Sequence, residues 1–342
     1  MNLLLFNRKD LTFIESHPIA EYEITLDTII HVQSTFTINT QVIKAKNEDI
    51  AILHEESFFF IGIIKQIESE GIRTKISTLP FSSILDVEVK AANYVGNIGQ
   101  YIRNLILQNF INHDDPLQNM PYLVVYNQAG IVGEVSQKAD SVQSLSTIVS
   151  DLNKRYGIRI STELEIINGL IGHINIFITE IDRSMVLKSN LHLLRNLVKS
   201  KDSNIPLNKA ILYGDGLETR SYYLYQDGTV GSDKNSTLRI YPVSFKYFTY
   251  KSGDIPLKIA EEKLLIDEYN HAISFDIELN NCIFVPFKNV YLGDEIIFID
   301  GGSALKTILS QIKFKNTLKV ASITLGEHRL KLTEKLKLLE RR

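Results

Sequence analysis

One hairpin-like stretch occurs twice in this chain, near its two ends. Residues 48–68 read EDIAILHEESFFFIGIIKQIE, and residues 294–313 read DEIIFIDGGSALKTILSQIK. In each copy an acidic pair precedes a short apolar strand, a turn and a second apolar strand, which ends in IIKQIE in one copy and ILSQIK in the other. Short apolar runs of this length, bounded by turn residues, are typical of strands. The sequence therefore predicts that the chain builds a similar β-hairpin twice.

The similarity continues past the hairpins. The segment IRTKISTL at 72–79 corresponds to LKVASITL at 318–325. Chance similarity between two common hairpins is the alternative interpretation. We favour duplication, which predicts a β-rich α+β protein with two similar small β-barrels and an inserted α+β domain.

The first ninety residues read as strands. EYEITLD (21–27) and TFTINT (35–40) alternate apolar and polar side chains, as a half-buried sheet requires. SEG around Gly71 fits a hairpin turn between two further strands. We predict a first barrel over residues 1–92, completed by strands from about 206–245.

Helical periodicity begins near residue 95. In VGNIGQYIRNLILQNFI the apolar residues recur on one helical face, and Asn97 is a suitable N-cap. SLSTIVSDLNKRYGI predicts a second helix, closed by Gly157 in a left-handed conformation. Strands surround both helices, so residues 93–205 are predicted to be an inserted α+β domain whose apolar stripes form its core.

A second β-rich block follows. A short helix is expected in IPLKIAEEKLL, with Asp254 as its cap. We predict a second barrel over 246–342, ending in a basic C-terminal segment.

Composition gives few functional constraints. The chain has 342 residues, a formal net charge of −3 and one cysteine, so neither nucleic-acid binding nor an internal disulfide is indicated. That residue, Cys282, is interpreted as a small buried side chain rather than a nucleophile. The N-terminus lacks the basic region of a signal peptide, and FFFIGII is too short to span a bilayer. We expect a protein without a membrane anchor that stays where it is made unless an assembly carries it out.

A search for catalytic motifs finds none. The sequence contains no HExxH, GxSxG, Walker or GxGxxG pattern, and its histidines are scattered singly. NHDDP, with His113, Asp114 and Asp115, could bind a metal or form an acid–base pair, but aspartates before a proline are common in loops. Glu163 and Glu165 are interpreted as surface charge. We predict no catalytic residues, no metal site and no cofactor.

Aromatic residues are interleaved with basic ones in FKYFTYK at 245–251. Such a pattern could bind single-stranded nucleic acid. In a strand, however, Phe245 and Tyr247 share one face, while Lys246 and Phe248 share the other. This arrangement favours a strand covered on both faces, as at a protein interface.

The ends of the chain resemble a known family. STFTINTQVIKAKNEDIAIL, FFFIGIIKQIE and the closing SITLGEHRLKLTEKLKLLERR resemble the tail-associated hub proteins of long-tailed phages and prophages of Gram-positive bacteria, including Listeria-type prophages. The resemblance covers essentially the whole chain. It implies the fold of the hub at the base of contractile phage tails, in which three copies form a ring and each contributes two similar barrels.

The resemblance also implies partners and a location. A homotrimer would join the six-fold tail tube protein to three-fold tail-fibre or receptor-binding proteins, with the tape-measure protein as a further possible partner, in the tail of a virion assembled in the bacterial cytoplasm. Six equivalent barrels would match the six-fold tube. Some relatives carry a C-terminal peptidoglycan-degrading domain. We expect none here, because the chain ends at Arg342, directly after the structural region.

Two further hypotheses stay open: a cell-wall endopeptidase or glycosidase with a cleft around His113 and Asp115, and a carbohydrate-binding module that uses exposed Tyr and Phe residues. For the preferred hub, ring contacts are expected from the two hairpins and the basic C-terminal segment. The candidate interface residues are Phe58, Phe59, Phe60, Ile64, Leu305, Ile308, Ile312, Lys335, Lys337 and Arg341.

Overall fold

A computed structural model describes residues 1–28, 31–55, 58–90, 92–135, 142–167, 170–181, 184–201, 207–214, 216–264, 271–279, 284, 286 and 289–326. They form two compact units. Among these residues, the first unit consists of 1–198 and 274–326, and the second of 199–273.

Six strands at the N-terminus form a closed β-barrel. They are β1 (Asn2–Phe6), β2 (Phe13–Asp27), β3 (Ser34–Ile38), β4 (Ile50–Glu55), β5 (Phe58–Glu70) and β6 (Arg73–Pro80). Their spatial order is β1-β4-β5-β6-β3-β2, and an antiparallel β1–β2 pair closes the circle. The turn predicted at Gly71 joins β5 to β6, with a φ of 59°. The expected completion by strands from about 206–245 does not occur, because the barrel closes with its own six strands.

The next segment contains the predicted helices. Its elements are a 3₁₀ helix at Phe81–Leu85, β7 (Glu88–Lys90), β8 (Tyr94–Asn97), α1 (Ile98–Phe110), a 3₁₀ helix at Pro116–Gln118, β9 (Leu123–Asn127), β10 (Val132–Val135), β11 (Val142–Ser144), α2 (Leu145–Tyr156), β12 (Ile158–Ile167) and β13 (Leu170–Glu180). Both terminal signals are confirmed: the Asn97 side chain accepts the Gln100 N–H at 2.7 Å, and Gly157 ends α2 with a φ of 63°.

This α+β segment and the barrel share one core. Ile102 and Ile106 of α1 belong to the same buried cluster as Ile50 and Ile63 of the barrel. β12 pairs antiparallel with β13, which pairs parallel with β9, so a three-stranded sheet lies under the helices. The segment therefore does not have a hydrophobic core of its own.

The chain then forms two short strands, β14 (Ser184–Lys188) and β15 (Leu194–Lys201), and the second unit begins within β15. Neither was read from the sequence, because SMVLK and LRNLVKSK show little alternation. They lie within the range 93–205 that was expected to belong wholly to the α+β segment.

The second unit has a four-stranded sheet and one helix. Its elements are β16 (Lys209–Tyr213), β17 (Arg220–Leu224), β18 (Val230–Gly231), β19 (Phe245–Thr249) and α3 (Pro256–Leu264). The sheet order is β18-β17-β16-β19, and Ala260 and Leu264 of α3 pack with Leu212 in its core. Asp254 does cap a backbone N–H, but the donor is Lys251 at 2.7 Å, in the turn that precedes the helix.

The last four strands are β20 (His271–Glu278), β21 (Glu295–Asp300), β22 (Ser303–Lys315) and β23 (Val320–Gly326). Together with β14 and β15 they follow the order β14-β21-β22-β23-β20-β15. When the six strands of each set are numbered in chain order, both sets have the spatial order 1-4-5-6-3-2. The two ends of the chain therefore share one strand order, as the repeated hairpin predicted, but β14 runs parallel to β21, whereas its counterpart β1 runs antiparallel to β4. The second set also takes β14 and β15 from the part of the chain that precedes β16.

Candidate assembly surfaces

The two repeated hairpins make the same backbone hydrogen bond at the residue where each begins. Asp49 accepts the Ile64 N–H through its backbone carbonyl at 2.9 Å, and Asp294 accepts that of Leu309 at 2.9 Å. Both aspartates are 3% exposed. The residue before each has a positive φ, 75° at Glu48 and 86° at Gly293. These contacts align the first hairpin on the second with an offset of 245 residues, so IIKQIE does lie on ILSQIK.

The alignment continues with one correction. β5 bulges between Ile64 and Gln66 against β6, and β22 bulges between Leu309 and Gln311 against β23. In the following strand, however, Ser77 is opposite Gln66, and Thr324 is opposite Gln311. The structural offset there is 247, whereas matching 72–79 with 318–325 implies 246. Two extra residues between β22 and β23 raise the offset from 245 before the turn to 247 after it, which the sequences alone do not reveal.

The two six-strand sets are joined through their backbones. Residues 23–27 of β2 pair antiparallel with residues 311–315 of β22. Hydrogen bonds flank this pairing, from Thr28 N–H to the Ser310 carbonyl at 3.0 Å and from Asn316 N–H to the Tyr22 carbonyl at 3.0 Å. The Lys313 ammonium lies 2.7 Å from a Glu23 carboxylate oxygen. This junction shows how one set can present an edge to the other.

A buried ion pair ties the second hairpin to the α+β segment. Arg159 of β12 contacts the Asp294 carboxylate, with side-chain exposures of 14% and 4%. The guanidinium also lies 4.4 Å from the centre of the Tyr291 ring. The Asp294 carboxylate accepts the Tyr291 N–H at 2.8 Å as well. These contacts fix the turn that leads into β21.

The predicted interface residues have very different exposures. Phe60, Ile64 and Ile312 are at most 2% exposed, so they are core residues of the chain rather than contacts for a partner. β5 is buried on both faces from Phe60 to Ile64, whereas in β22 Ile312 lies on the buried face of an alternating strand. The apolar residues alone could not distinguish these core positions from an exposed patch.

The remaining predicted positions are more accessible. Phe58, Phe59 and Ile308 are half-buried, and Leu305 is 39% exposed. Lys335, Lys337 and Arg341 lie outside the described residues.

An aromatic row occupies one face of the second unit's sheet. Phe245, Tyr247 and Tyr213 are 57%, 59% and 46% exposed. Their rings form a chain, with centroid distances of 6.0 Å between Phe245 and Tyr247 and 6.2 Å between Tyr247 and Tyr213. Phe248 instead packs against the unit's core. The face division expected for FKYFTYK is therefore present, but the face with Phe245 and Tyr247 is open.

The residues considered from the sequence as catalytic or metal-binding candidates make local structural contacts. Asp115 caps the 3₁₀ helix at Pro116 by accepting the Leu117 N–H at 2.9 Å, and its own N–H donates to His113 Nδ1 at 3.0 Å. The loop interpretation of NHDDP is therefore confirmed. Glu165 contacts His173 at 3.4 Å across β12 and β13. Cys282 lies outside the described residues.

The described residues offer neither a metal site nor a helix suited to a membrane. Within them, no three His, Cys, Asp or Glu side chains are grouped closely enough to hold a metal ion. Among the helices that they form, none combines the length and apolar character needed to cross a bilayer.

One cavity of about 140 Å³ lies between the first barrel and β12. Its charged lining residues are Arg159, which is paired with Asp294, and Glu163. A single carboxylate beside a neutralised guanidinium is not the paired-carboxylate arrangement of a glycosidase. Glu165, the other carboxylate considered from the sequence, does not line this cavity.

Comparison with solved structures places the fold. The chain is similar to prophage tail protein gp18 from Listeria monocytogenes EGD-e, with 11% identity, a TM-score of 0.55, and coverage of 99% of this chain and 100% of the other. The 43 kDa tail protein of prophage MuSo2 from Shewanella oneidensis gives 10% identity, a TM-score of 0.58, and coverage of 96% and 98%. A chain of the p2 virion baseplate in its activated conformation gives 10% identity, a TM-score of 0.54, and coverage of 96% and 100%.

The other comparisons return nothing. No protein-family model matches the sequence, and no curated protein matches it. At these identities the similarity establishes the fold, which is that of phage tail and baseplate proteins over the whole chain. The predicted resemblance to tail hub proteins is thus confirmed by structure.

Proposed function

We propose that this protein is a structural component of a phage tail tip: a trimeric baseplate hub that joins the end of a six-fold tail tube to three-fold tip or fibre parts. One observation carries the proposal, namely the 1-4-5-6-3-2 strand order found in both six-strand sets. Three chains with two equivalent sets each would present six similar modules to the tube. The similarity to tail and baseplate proteins supports this reading.

The heterologous contact between the two sets supports a ring. β2 of one set pairs with β22 of the other, which are not equivalent strands of the repeat. Head-to-tail contacts between unlike surfaces generate rings when the rotation closes. The central opening would allow DNA to pass, the faces of the ring would bind tube, fibre and tape-measure proteins, and the ring would take part in host attachment.

Localisation in the particle tests this proposal. An antibody raised against the chain is expected to label the distal end of the tail in purified phage particles, as seen by immunogold electron microscopy. Particles from a lysogen that lacks the gene provide the control. Labelling of the head or the absence of the chain from purified particles would contradict the tail location.

We propose a structural rather than an enzymatic role, since His113 and Asp115 form a local turn and Glu165 contacts His173. A zymogram with bacterial cell walls tests the point. The purified chain is expected to leave the walls intact, and clearing that disappears in His113→Ala or Glu163→Gln variants would assign an endopeptidase or glycosidase activity.

A carbohydrate-binding role is the second candidate, and the exposed row of Phe245, Tyr247 and Tyr213 favours it. Aromatic faces provide apolar surface that could stack on sugar rings. Binding of the full chain to purified cell walls is expected to fall about tenfold in Tyr247→Ala if the row is the site. Exposed Tyr241, which is outside the row and 89% exposed, is the matched control as Tyr241→Ala.

A further inference from the structure

We propose that ring closure occurs by sheet pairing between copies of this chain, in which residues 66–70 of β5 in one protomer pair with β15 of the next. The inference rests on the proposed ring and adds the edges that meet. It follows from the junction within the chain and from the equivalence of the two strand sets.

The first step is the equivalence of strands. In the shared order, β5 and β22 occupy the same position, and so do β2 and β15. The chain already pairs β2 with β22. Exchanging each strand for its equivalent turns the β2–β22 pair into a β15–β5 pair. In a ring of alternating sets, this second pair would lie between protomers.

The second step concerns the edge of β5. β22 pairs with β21 through Ile308, and its continuation at 311–315 pairs with β2. β5 likewise pairs with β4 through Ile63, but its continuation at 66–70 pairs, among the described strands, only with β6. Gln66, Glu68, Ser69 and Glu70 are exposed. Residues 66–70 therefore have an open backbone edge where β22 has a partner.

The third step concerns hydrogen-bonding direction. Bonds at Ser310 and Asn316 show that even-numbered residues of β22 direct their backbone groups toward β2. With the offset of 245 residues, the equivalent positions in β5 include Ile67, Ser69 and Gly71. Gly71 and Asn316 both have left-handed backbones, with φ of 59° and 54°. The backbone of β5 is thus shaped like the part of β22 that already holds a strand.

The fourth step concerns the edge of β15. Its equivalent β2 pairs with β1, β3 and β22, whereas β15 pairs, within the part of the chain that the structure describes, with β20 alone. Val198 in β15 is 62% exposed. An exposed strand edge is a template for pairing with another chain and is normally protected in soluble proteins. A second copy of the chain would cover it.

Charge selects the partner of each edge. Within the chain, β2 contributes Glu23 and Asp27 and β22 contributes Lys313 and Lys315. Between chains the signs are exchanged: the QIESE edge of β5 is acidic, and β15, LRNLVKSK, is basic. An acidic β2 is therefore mismatched with an acidic β5, and a basic β15 with a basic β22. This pattern favours alternation of the two sets around the ring over pairing of like sets.

Charge reversal in the full chain tests the proposal. We expect Glu68→Lys/Glu70→Lys and Lys199→Glu/Lys201→Glu each to raise the trimer dissociation constant about tenfold, measured by mass over a concentration series. Combining both charge reversals in one chain should restore the dissociation constant to near the wild-type value. Glu88→Lys/Asp114→Lys changes the net charge by the same amount as the Glu68/Glu70 reversal, at two exposed positions elsewhere, and should leave the dissociation constant unchanged. A trimer insensitive to both reversals would overturn the β5–β15 contact.

A second measurement tests the contact even when the trimer is only sparsely populated in solution. In a Cys282→Ser background, Ser69→Cys and Ser200→Cys together should give bismaleimide-linked ladders that end at a trimer, while each single variant should give none. No ladder in the double variant, at concentrations where the wild type is a trimer or at the highest attainable, would reject the strand pairing. Immunogold labelling of the tail is independent of both measurements, so failure of the contact and failure of the proposed function are distinguishable.

Discussion

Asp49 and Asp294 are equivalent residues in the two hairpins, yet only Asp294 has a buried cation as a partner. Each carboxylate accepts the backbone N–H three residues before it, from Lys46 at 2.9 Å and from Tyr291 at 2.8 Å. Asp294 also contacts Arg159. No ion pair joins Asp49 to a cation among the described residues. The repeat therefore conserves the turn, while the second copy adds an attachment to the α+β segment.

This difference predicts unequal costs of the same substitution. Asp49→Asn keeps an acceptor for the turn and should lower the free energy of unfolding by about 1 kcal/mol. Asp294→Asn leaves the Arg159 charge buried without its partner and should cost about 3 kcal/mol. Urea unfolding of the full chain measures both. Equal losses would mean that the Arg159 pair contributes little to stability.

The β2–β22 junction depends on Asn316. Its side chain accepts the Tyr22 N–H at 2.7 Å, and its backbone has a φ of 54°. Asn316→Gly keeps the left-handed backbone but loses the hydrogen bond, so it should lower the free energy of unfolding by about 1 kcal/mol. Asn316→Ala loses both features and should cost about 2 kcal/mol. Chemical denaturation ranks the three proteins, and an alanine variant more stable than the glycine variant would contradict the backbone argument.

Stability should depend on pH through Glu15. Burial raises the pKa of its carboxyl, but N–H donors from Ala45 and Lys44 and the nearby His17 outweigh burial and hold the pKa below its usual range. The carboxylate therefore contributes stability at neutral pH that is lost as the pH falls through the folded-state pKa.

Glu15→Gln should accordingly lower the free energy of unfolding by about 1 kcal/mol at pH 7. Its difference from the wild type should shrink below about pH 4, where the free carboxyl protonates. Glu88→Gln, at an exposed position, should show no such trend. A deficit in Glu15→Gln that is constant from pH 7 to pH 3 would rule out the linkage.

Close packing inside the first barrel restricts Gly62. A Cβ there would lie 2.7 Å from the Phe60 ring and 2.8 Å from Thr78 Oγ1. Gly62→Ala should therefore cost about 2 kcal/mol of unfolding free energy, since β5 is buried here and cannot shift freely. At Gly130 a Cβ would meet only a Glu180 oxygen at 3.5 Å, so Gly130→Ala should be within about 0.5 kcal/mol of the wild type. Similar effects at both positions would refute the packing argument.

The sequence predicted the features that depend on local pattern. Apolar periodicity located both hairpins and both long helices, and the preference of asparagine and glycine for special backbone positions located Asn97 and Gly157. β14 and β15 are not predicted from the sequence, because SMVLK and LRNLVKSK do not alternate between apolar and polar residues. The exposure of Phe60 and Ile312 differs from the prediction, because both side chains lie in the core and an apolar residue has the same appearance in a core and on an interface. The β2–β22 junction joins residues almost 300 positions apart, which no local pattern reveals.

The junction inside the chain also affects how a ring would assemble. Of six contacts between successive modules, three would form intramolecularly as each polypeptide folds, at the high effective concentration that a covalent connection provides. Only three would require diffusional encounter between separate molecules. A fused pair of modules therefore halves the number of collisions needed for closure, and makes an odd number of modules impossible.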